Sequence, residues 1–414
     1  MGLKKGCEFL NSANNNTANN WMLPIIIVNW LFNTVTIIPF VIIPLYATTV
    51  LGASLFQASL IAGTFFGVNA VTAIIMGSLS DIMGKRKPFV IFSLFGSAVI
   101  FILISFIALP VTLILVMGLF GFIAAGFSPC VMGMVSEYSK PREKGKNLGY
   151  LNSGTSLGWA VGSFSSGAIT ELFSFAMTFY FGCMLAVLAA VITITFLRET
   201  KTDIVKERNF RKIIIALKNR FIPKSGESTY LKEKGLRWFY ISLFFRYSAY
   251  WGSFALLSIF FATIVSTTWI GILIAINLGI SAFIMTPVGK LSDMKGRKLI
   301  ILFGLVGTSS VLVLYALSYN LYVLIVVQVL NAFVFASIYT GGSAFVSDVT
   351  PADKHNEAMG FLNSAITFGA VTGTIIAGIM AEIFGLRIMY LILAILPIIG
   401  AVIVLSKVQE TISR

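Results

Sequence analysis

The sequence predicts an all-α membrane protein in which twelve transmembrane helices form two pseudo-symmetric six-helix bundles. Three observations carry this prediction. Hydrophobic residues make up 57% of the 414 residues, charged residues make up only 11%, and the mean hydropathy is +0.92. Long apolar stretches recur along the whole chain. Short sequences from the first half also reappear in the second half.

The charged fraction excludes a soluble protein of this size. In a soluble domain about a quarter of all residues are charged. The 11% in this chain is too few to cover a water-facing surface. A helix of about 20 apolar residues crosses the roughly 30 Å of hydrocarbon in a bilayer. Twelve stretches have this length, at about residues 22–48, 54–79, 88–108, 110–136, 146–170, 174–197, 236–264, 266–289, 299–318, 320–347, 356–381 and 387–406.

The basic residues predict the orientation of the chain. If the N-terminus is cytoplasmic, 28 of the 30 Lys and Arg residues lie in cytoplasmic segments, which is the positive-inside pattern. Only Arg246 and Arg387 lie outside these cytoplasmic segments. We therefore expect a multi-pass protein of the cell (plasma) membrane with both termini in the cytoplasm. Topology and attraction to anionic lipid account for the net charge of +14, so nucleic acid is not an expected partner.

These patterns divide the chain into five parts. We expect a disordered cytoplasmic tail (1–21), an N-terminal six-helix bundle (22–197), a basic cytoplasmic linker (198–235), a C-terminal six-helix bundle (236–406) and a short cytoplasmic tail (407–414). The first tail is polar and rich in Asn, with no cleavable signal peptide, so the first span is expected to be retained. Within the linker, residues 210–224 have the pattern of a basic amphipathic helix on the membrane surface.

Two long segments of the chain are repeated. Residues 77–88 read GSLSDIMGKRKP and residues 289–298 read GKLSDMKGRK. Residues 135–173 match residues 346–384 at an offset of 211, which pairs Glu137 with Asp348 and Glu171 with Glu382. A duplication of this length predicts two similar bundles side by side with a cleft between them.

The paired motif and its position identify a resemblance to a known family. Twelve spans in a six-plus-six arrangement, with GxLxDxxG and basic residues after the second and eighth spans, resemble the major facilitator superfamily over nearly the whole chain. This resemblance implies alternating access, in which two halves rock about a central site that opens to one side at a time. It implies a secondary active transporter that works without a cofactor.

The repeated motif is a candidate for a cytoplasmic latch. Its glycines permit close helix approach, and its carboxylates can face helix N-termini or pair with the basic residues. The resemblance makes Gly77, Asp81, Gly84 and Lys85 part of a latch that holds the outward-open state. The alternative is a basic loop that only fixes topology. The complete set of candidate gating residues is Gly77, Asp81, Gly84, Lys85, Arg86, Glu137, Gly289, Asp293, Gly296, Arg297 and Asp348.

Glycines recur at intervals of four residues in the fifth span. Gly154, Gly158 and Gly162 permit close packing of a neighbouring helix, and Gly369 and Gly373 repeat the pattern in the eleventh span. A second interpretation is the antiporter motif of drug exporters in the superfamily. That motif has Gly-Pro where this chain has Gly162 followed by serine.

Polar side chains inside the spans are candidates for the substrate path, because few polar groups enter the bilayer without a function. Arg246 either reaches back to the cytoplasmic surface, contacts an anion on the substrate, or pairs with a gate carboxylate. With a one-residue shift of offset, Asn29 and Asn33 take the places of Ser242 and Arg246. The candidates are Asn29, Asn33, Asn69, Ser242, Arg246, Tyr250, Asn277, Gln328, Asn331 and Tyr339.

The sequence therefore predicts a secondary transporter and not an enzyme. No acidic residue falls in mid-membrane and the lone histidine precedes the eleventh span, so neither a metal site nor an obvious proton carrier is expected there. A coupling proton or other ion is left open. We expect a monomer that exports lipophilic or drug-like compounds. The alternative is uptake or exchange of a small organic anion that contacts Arg246.

Overall fold

The computed structural model describes residues 21–140, 143–199, 228–351 and 354–411. Residues 1–20 of the predicted tail 1–21 and the predicted amphipathic segment 210–224 lie outside these residues. The described chain is helical and contains no strand. The first half contains α1 Met22–Thr49, α2 Leu55–Met83, α3 Lys87–Ile104, α4 Pro110–Ala124, α5 Phe127–Tyr138, α6 Lys144–Leu172 and α7 Phe175–Phe196. After a 3-10 helix at Ser228–Gly235, the second half contains α8 Leu236–Ala255, α9 Leu257–Ala262, α10 Thr267–Lys295, α11 Arg297–Ala316, α12 Leu321–Val349, α13 His355–Phe384, α14 Leu386–Leu393 and α15 Ile395–Lys407.

Three of the twelve spans are interrupted. The pairs α4–α5, α8–α9 and α14–α15 each continue one path across the bilayer. Proline explains two of the breaks, because its ring clashes with the carbonyl four residues earlier. Pro129 lies four residues after Ala125, which directly follows α4, and Pro397 lies four residues after Leu393, the last residue of α14. The break at Leu256 has no proline beside it.

Ten spans in the described chain are long and apolar enough to cross a membrane on those criteria alone. The two below the threshold are α6, which is rich in Gly and Ser, and α8, which contains Arg237 and Arg246. Both helices pack extensively against other helices. The fold is thus an all-α membrane protein of two six-helix bundles, and its least apolar spans are those with the closest helix contacts.

The glycines of α6 and α13 bring these helices onto their neighbours within each bundle. A Cβ atom added at Gly158 would lie 2.5 Å from the carbonyl oxygen of Trp30 in α1. A Cβ atom added at Gly369 would lie 2.8 Å from the carbonyl oxygen of Phe244 in α8. Such backbone approach requires a residue without a side chain.

The two bundles also contact each other through small residues. In α6, Gly167 lies against Gly271 of α10, and in α13, Gly378 lies against Ser59 of α2. All four residues lie at the same end of the molecule, which we name the opposite end. The other end, which carries Arg86 and Arg297, is named the basic end. The bundles are tightly packed at the opposite end.

At the basic end the same helices are separated. A Cβ atom added at Gly149 in α6, Gly289 in α10 or Gly360 in α13 would meet no described atom within 4 Å. The cleft between the bundles therefore opens toward the basic end and is closed at the opposite end.

The α6 glycines provide a test of this packing. Gly158→Ala forces its methyl group against α1, and overpacking of this kind costs about 1–3 kcal/mol. Gly149→Ala is the matched control, because the same change in the same helix meets open space and gains up to about 1 kcal/mol of helix propensity. We expect opposite shifts of the unfolding midpoint in detergent. Equal shifts of the same sign would contradict the α1–α6 contact.

Candidate functional site

Aromatic side chains meet across the two bundles near the middle of the spans. The rings of Phe66 in α2 and Trp251 in α8 lie 4.7 Å apart between centroids. Phe40 of α1 stacks on Phe66 at 5.2 Å, and Phe254 contacts Trp251 at 5.5 Å. We define the aromatic cluster as Phe40, Phe66, Tyr250, Trp251, Phe254 and Phe335. The cluster lies where the bundles meet, because Phe66 and Trp251 belong to different bundles.

Arg246 lies behind this cluster, inside the second bundle. It is fully buried, so it does not reach back to the membrane surface. Its guanidinium carbon lies 4.4 Å from the ring centroid of Tyr247 and 4.5 Å from that of Tyr250. Its Nε donates a 3.4 Å hydrogen bond to Oγ1 of Thr308, whereas Nη1 and Nη2 have no partner. No carboxylate in the described part of the chain pairs with it.

Three predicted path residues gather around Tyr315, close to Arg246. The Tyr315 hydroxyl donates to Oε1 of Gln328 at 3.0 Å, and Asn331 donates to the same hydroxyl at 3.4 Å. Asn277 donates to the backbone carbonyl of Gln328 at 3.3 Å. A small cavity between α8, α11 and α12 is lined by Tyr250, Ser253, Phe254, Leu257, Thr308, Val311, Leu312, Tyr315 and Asn331.

The predicted path residues of the first bundle lie elsewhere. Asn29 donates to the carbonyl of Leu151 at 3.0 Å, and Asn33 donates to the carbonyl of Asn29 at 2.7 Å. Asn69 donates to the carbonyl of Gly121 at 3.1 Å. These amides satisfy their hydrogen bonds within one bundle, so they join helices there.

Two predicted path residues of the second bundle lie apart from Arg246. Ser242 is buried against Gly400 of α15. Tyr339 is 45% exposed, and its ring lies 6.0 Å from that of Phe335. Of the residues predicted for the path, the structure therefore brings together Arg246, Tyr250, Asn277, Gln328 and Asn331.

The predicted equivalence of Asn33 with Arg246 is wrong by one residue. Gly158 contacts Trp30, Asn33 and Thr34, whereas its repeat partner Gly369 contacts Phe244, Tyr247 and Ser248. Asn33 therefore corresponds to Tyr247, and Phe32 corresponds to Arg246. One residue turns a helix by about 100°, so Asn33 faces α6 while Arg246 faces α11 and α12.

At the basic end, one arginine in each bundle joins two carboxylates. Arg86 contacts Asp81 at 3.0 Å and Glu137 at 2.9 Å. Burial lowers the pKa of Arg86, but its hydrogen bond and charge interactions with Glu137 and Asp81 raise it above its usual value. Arg297 repeats the arrangement with Asp348, at 2.9 Å, and Asp293.

The other residues of the motif shape the turns. Gly84 and Gly296 end α2 and α10 with φ of 60° and 101°, which favour glycine, and Lys85 is exposed. Gly77 lies against Pro129, where an added Cβ atom would be 3.3 Å from the proline ring. The ion pairs that Arg86 and Arg297 form with the four carboxylates each stay within one bundle. The role of the motif as a latch stays a prediction.

Two carboxylates at the basic end were not predicted. Glu199 accepts hydrogen bonds from the backbone N–H groups of Arg86, at 2.7 Å, and Lys87, at 3.1 Å, where α3 begins. Glu410 does the same for Arg297, at 2.8 Å, and Lys298, at 3.0 Å, where α11 begins. A carboxylate stabilises a helix N-terminus. The repeat contained the signal, because Glu-Thr occurs at 199–200 and again at 410–411.

Two further carboxylates bridge the bundles at the opposite end. Glu171 of α6 accepts a hydrogen bond from the N–H of Thr268 at 2.5 Å, where α10 begins. Glu382 of α13 accepts one from the N–H of Phe56 at 3.1 Å, where α2 begins. Each bundle thus caps a helix of the other, and these contacts favour the closed arrangement at this end.

Two duplicated bundles around a cleft that is open at one end define a membrane transporter of the alternating-access type. The chain belongs to the Major Facilitator Superfamily, whose family model matches residues 25–286 and 239–412. The expected resemblance and the twelve-span, two-bundle fold are confirmed.

Similar sequences include proteins with and without a characterised function. An uncharacterized MFS-type transporter of Methanocaldococcus jannaschii is 26% identical over 379 residues, which is 89% of this chain and 93% of the relative. Multidrug resistance protein MdtG of Proteus mirabilis is 32% identical over 142 residues, which is 34% of this chain and 35% of that protein. The staphyloferrin B transporter of Staphylococcus aureus is 31% identical over 144 residues, which is 34% of each chain.

Solved structures of transporters share the fold. The nucleoside transporter NupG superposes with a TM-score of 0.74 at 13% identity and covers 94% of this chain and 99% of its own. A bacterial homologue of the human lysosomal transporter Spinster, in an inward-facing and occupied conformation, superposes with a TM-score of 0.76 at 14% identity. That match covers 93% of this chain and 95% of the homologue.

The carboxylates at the opposite end provide a second prediction. Each charge at a helix N-terminus contributes about 0.3–1 kcal/mol, so Glu171→Gln with Glu382→Gln should shift the equilibrium away from the closed opposite end by roughly threefold to thirtyfold. The readout is labelling of a cysteine at Val371, in a variant without native cysteines, by an impermeant thiol reagent at the opposite end.

Glu233→Gln is the control for this measurement, because Glu233 is exposed and lies outside both bundles. Labelling should rise in the double variant and stay unchanged in the control. Equal labelling of the two variants would mean that Glu171 and Glu382 do not hold the opposite end closed.

Proposed function

We propose that this protein exports lipophilic organic compounds across the plasma membrane by alternating access. The observation that carries the proposal is the aromatic cluster, which joins both bundles at the closed end of the cleft. Aromatic rings bind apolar solutes through large contact areas with little loss of side-chain entropy. Because the cluster contains rings from both bundles, movement of the bundles changes its shape. Solute binding at the cluster is therefore coupled to the alternating-access movement.

The orientation in this proposal follows the basic residues. The positive-inside pattern assigns the basic end, and with it both termini, to the cytoplasm. The open cleft then faces the cytoplasm, where an exporter collects its substrate. Closure at the basic end would bring Asp81 and Asp293 toward the other bundle, as the predicted latch requires. The multidrug resistance names of partial relatives also favour export.

We further propose that a coupling ion acts at the basic end and not in mid-membrane. No acidic residue of the sequence lies in the middle of a span, whereas Asp81, Glu137 and Asp348 cluster with arginines at the basic end. A proton exchanged there would weaken the pairs with Arg86 or Arg297. In this proposal the protein acts as a monomer and catalyses no chemical reaction on its substrate.

Uptake or exchange of a small organic anion is the second candidate function. The observation that favours it is the buried guanidinium of Arg246, whose terminal nitrogens lack partners. The direction of transport distinguishes the candidates. Cells that express the protein should lose a lipophilic dye faster than control cells if it is an exporter. They should accumulate a small carboxylate if the second candidate is right.

Removal of one aromatic side chain tests the site. Trp251→Ala removes an aromatic face that a bound dye would contact, and one such ring pair contributes about 0.5–1.5 kcal/mol beyond its area. We expect the apparent affinity for a fluorescent lipophilic dye to fall roughly threefold to tenfold. The measurement is dye efflux from proteoliposomes at a series of dye concentrations.

Phe303→Ala is the matched control, because Phe303 lies on α11 and is exposed on the outside of the bundle. Its efflux kinetics should equal those of the unmodified protein. An unchanged affinity in Trp251→Ala would remove the aromatic cluster from the substrate path.

A further inference from the structure

Arg246 is unusual because the scaffold does not require a charge at its position. The corresponding residue of the first bundle is Phe32, which is buried and stacks on Phe127 with centroids 3.7 Å apart. The fold thus fills this place with an apolar ring in one bundle and with a guanidinium in the other. Burial of an unpaired charge is unfavourable, so the arginine is retained at a cost to stability.

The groups around Arg246 have hydrogen-bond donors to spare, and two of the nearby oxygen atoms are already hydrogen-bonded within the protein. Nη1 and Nη2 of Arg246 and Nε2 of Gln328 are buried without partners. Oε1 of Gln328 accepts from Tyr315, and the hydroxyl of Thr308 donates to the carbonyl of Gly304. A positive charge among unpartnered donors matches the hydrogen-bonding needs of an anion.

A small cavity lies next to these donors, on the side of their neighbours Thr308 and Tyr315, and Arg246 and Gln328 themselves do not line it. Thr308, Tyr315 and Asn331 line it, and Thr308 contacts the guanidinium at 3.4 Å. We define the donor pocket as Arg246, Thr308, Tyr315, Gln328 and Asn331 with this cavity. The pocket is small, so it suits one functional group of a ligand and not a whole drug-sized molecule.

The donor pocket is continuous with the aromatic cluster. Tyr250 and Phe254 line the cavity and also belong to the cluster. The Tyr250 ring contacts the guanidinium at 4.5 Å and the Trp251 ring at 5.4 Å. A molecule with an anionic group in the pocket would therefore place its remaining atoms against the aromatic rings.

We propose that the donor pocket binds the carboxylate of the transported compound, so that the substrates are lipophilic carboxylates. A carboxylate matches the planar, forked geometry of the arginine donors. This inference rests on the proposed export of lipophilic compounds and adds the chemical group that the compounds must carry. Arg246 is then the residue that distinguishes an acid from its neutral derivative.

Binding of an acid and its neutral derivative tests the proposal. Pyrenebutyrate and pyrenebutyramide share one aromatic body and differ in charge. Their dissociation constants are measured by fluorescence with the full-length protein in detergent. The unmodified protein should bind the carboxylate at least tenfold more tightly than the amide. Arg246→Gln should abolish this preference and leave the affinity for the amide unchanged. Arg246→Lys should retain part of it.

Two variants control for indirect effects. Arg387→Gln removes the other arginine that lies outside the basic segments, and it should keep the tenfold preference. Gln328→Met preserves side-chain length and removes an unpartnered donor, and it should reduce the preference even if Arg246→Gln fails to fold. Trp251→Ala should weaken the binding of both compounds equally.

The possible outcomes distinguish failure of the donor-pocket proposal from failure of the proposed export function. Equal binding of acid and amide by the unmodified protein would overturn the donor pocket and leave lipophilic export intact. Binding of neither compound would overturn both proposals. Arg246-dependent stabilisation by chloride or acetate, without binding of pyrenebutyrate, would assign the pocket to a small free anion and overturn its role in substrate recognition.

Discussion

The structure depends on the close backbone approach of two helices, α6 and α13, to neighbours in both bundles. Lipid tails are as apolar as the side chains, so contact between helices in a bilayer relies on packing and interhelical hydrogen bonds. Each helix has glycines toward its own bundle, such as Gly158 and Gly369, and small residues toward the other bundle, such as Gly167 and Gly378. These two helices therefore hold each bundle together and also join the bundles.

The contacts differ between the two ends of the molecule. At the opposite end, Glu171 and Glu382 cap helices of the other bundle and close the cleft. At the basic end, Arg86 and Arg297 pair within their own bundles, and the facing surfaces are apart. Rocking of rigid bundles about a central site exchanges one set of contacts for the other. The aromatic cluster lies between the ends, where the two bundles meet.

The sequence alone was sufficient to predict the membrane spans and the internal duplication, because segment length, hydropathy and a fixed repeat offset can be read without knowledge of tertiary contacts. It did not predict the breaks after α4 and α14, because Pro39, Pro44 and Pro287 lie inside helices that continue, and it did not predict Glu199, although the repeated Glu-Thr pair contained that signal. It was insufficient for side-chain direction. An error of one residue in aligning the repeat paired Arg246 with Asn33 instead of Phe32. The pattern of phenylalanines also does not distinguish Phe66, at the bundle interface, from Phe303, on the outside.

Phe32 and Arg246 occupy equivalent positions in the two bundles, and the difference between them indicates that the bundles have different roles. The charged groups at the two ends follow the repeat closely, since Arg86, Glu199 and Glu171 each have a counterpart 211 residues later in Arg297, Glu410 and Glu382. The interior of the bundles does not obey it. Amide groups of the first bundle, such as those of Asn29 and Asn69, donate hydrogen bonds to backbone carbonyls of the same bundle, whereas the second bundle leaves the guanidinium and the Gln328 amide with free donors. Symmetric contacts suit a movement that must run in both directions. Unpaired donors on one side suit a substrate that has no symmetry of its own.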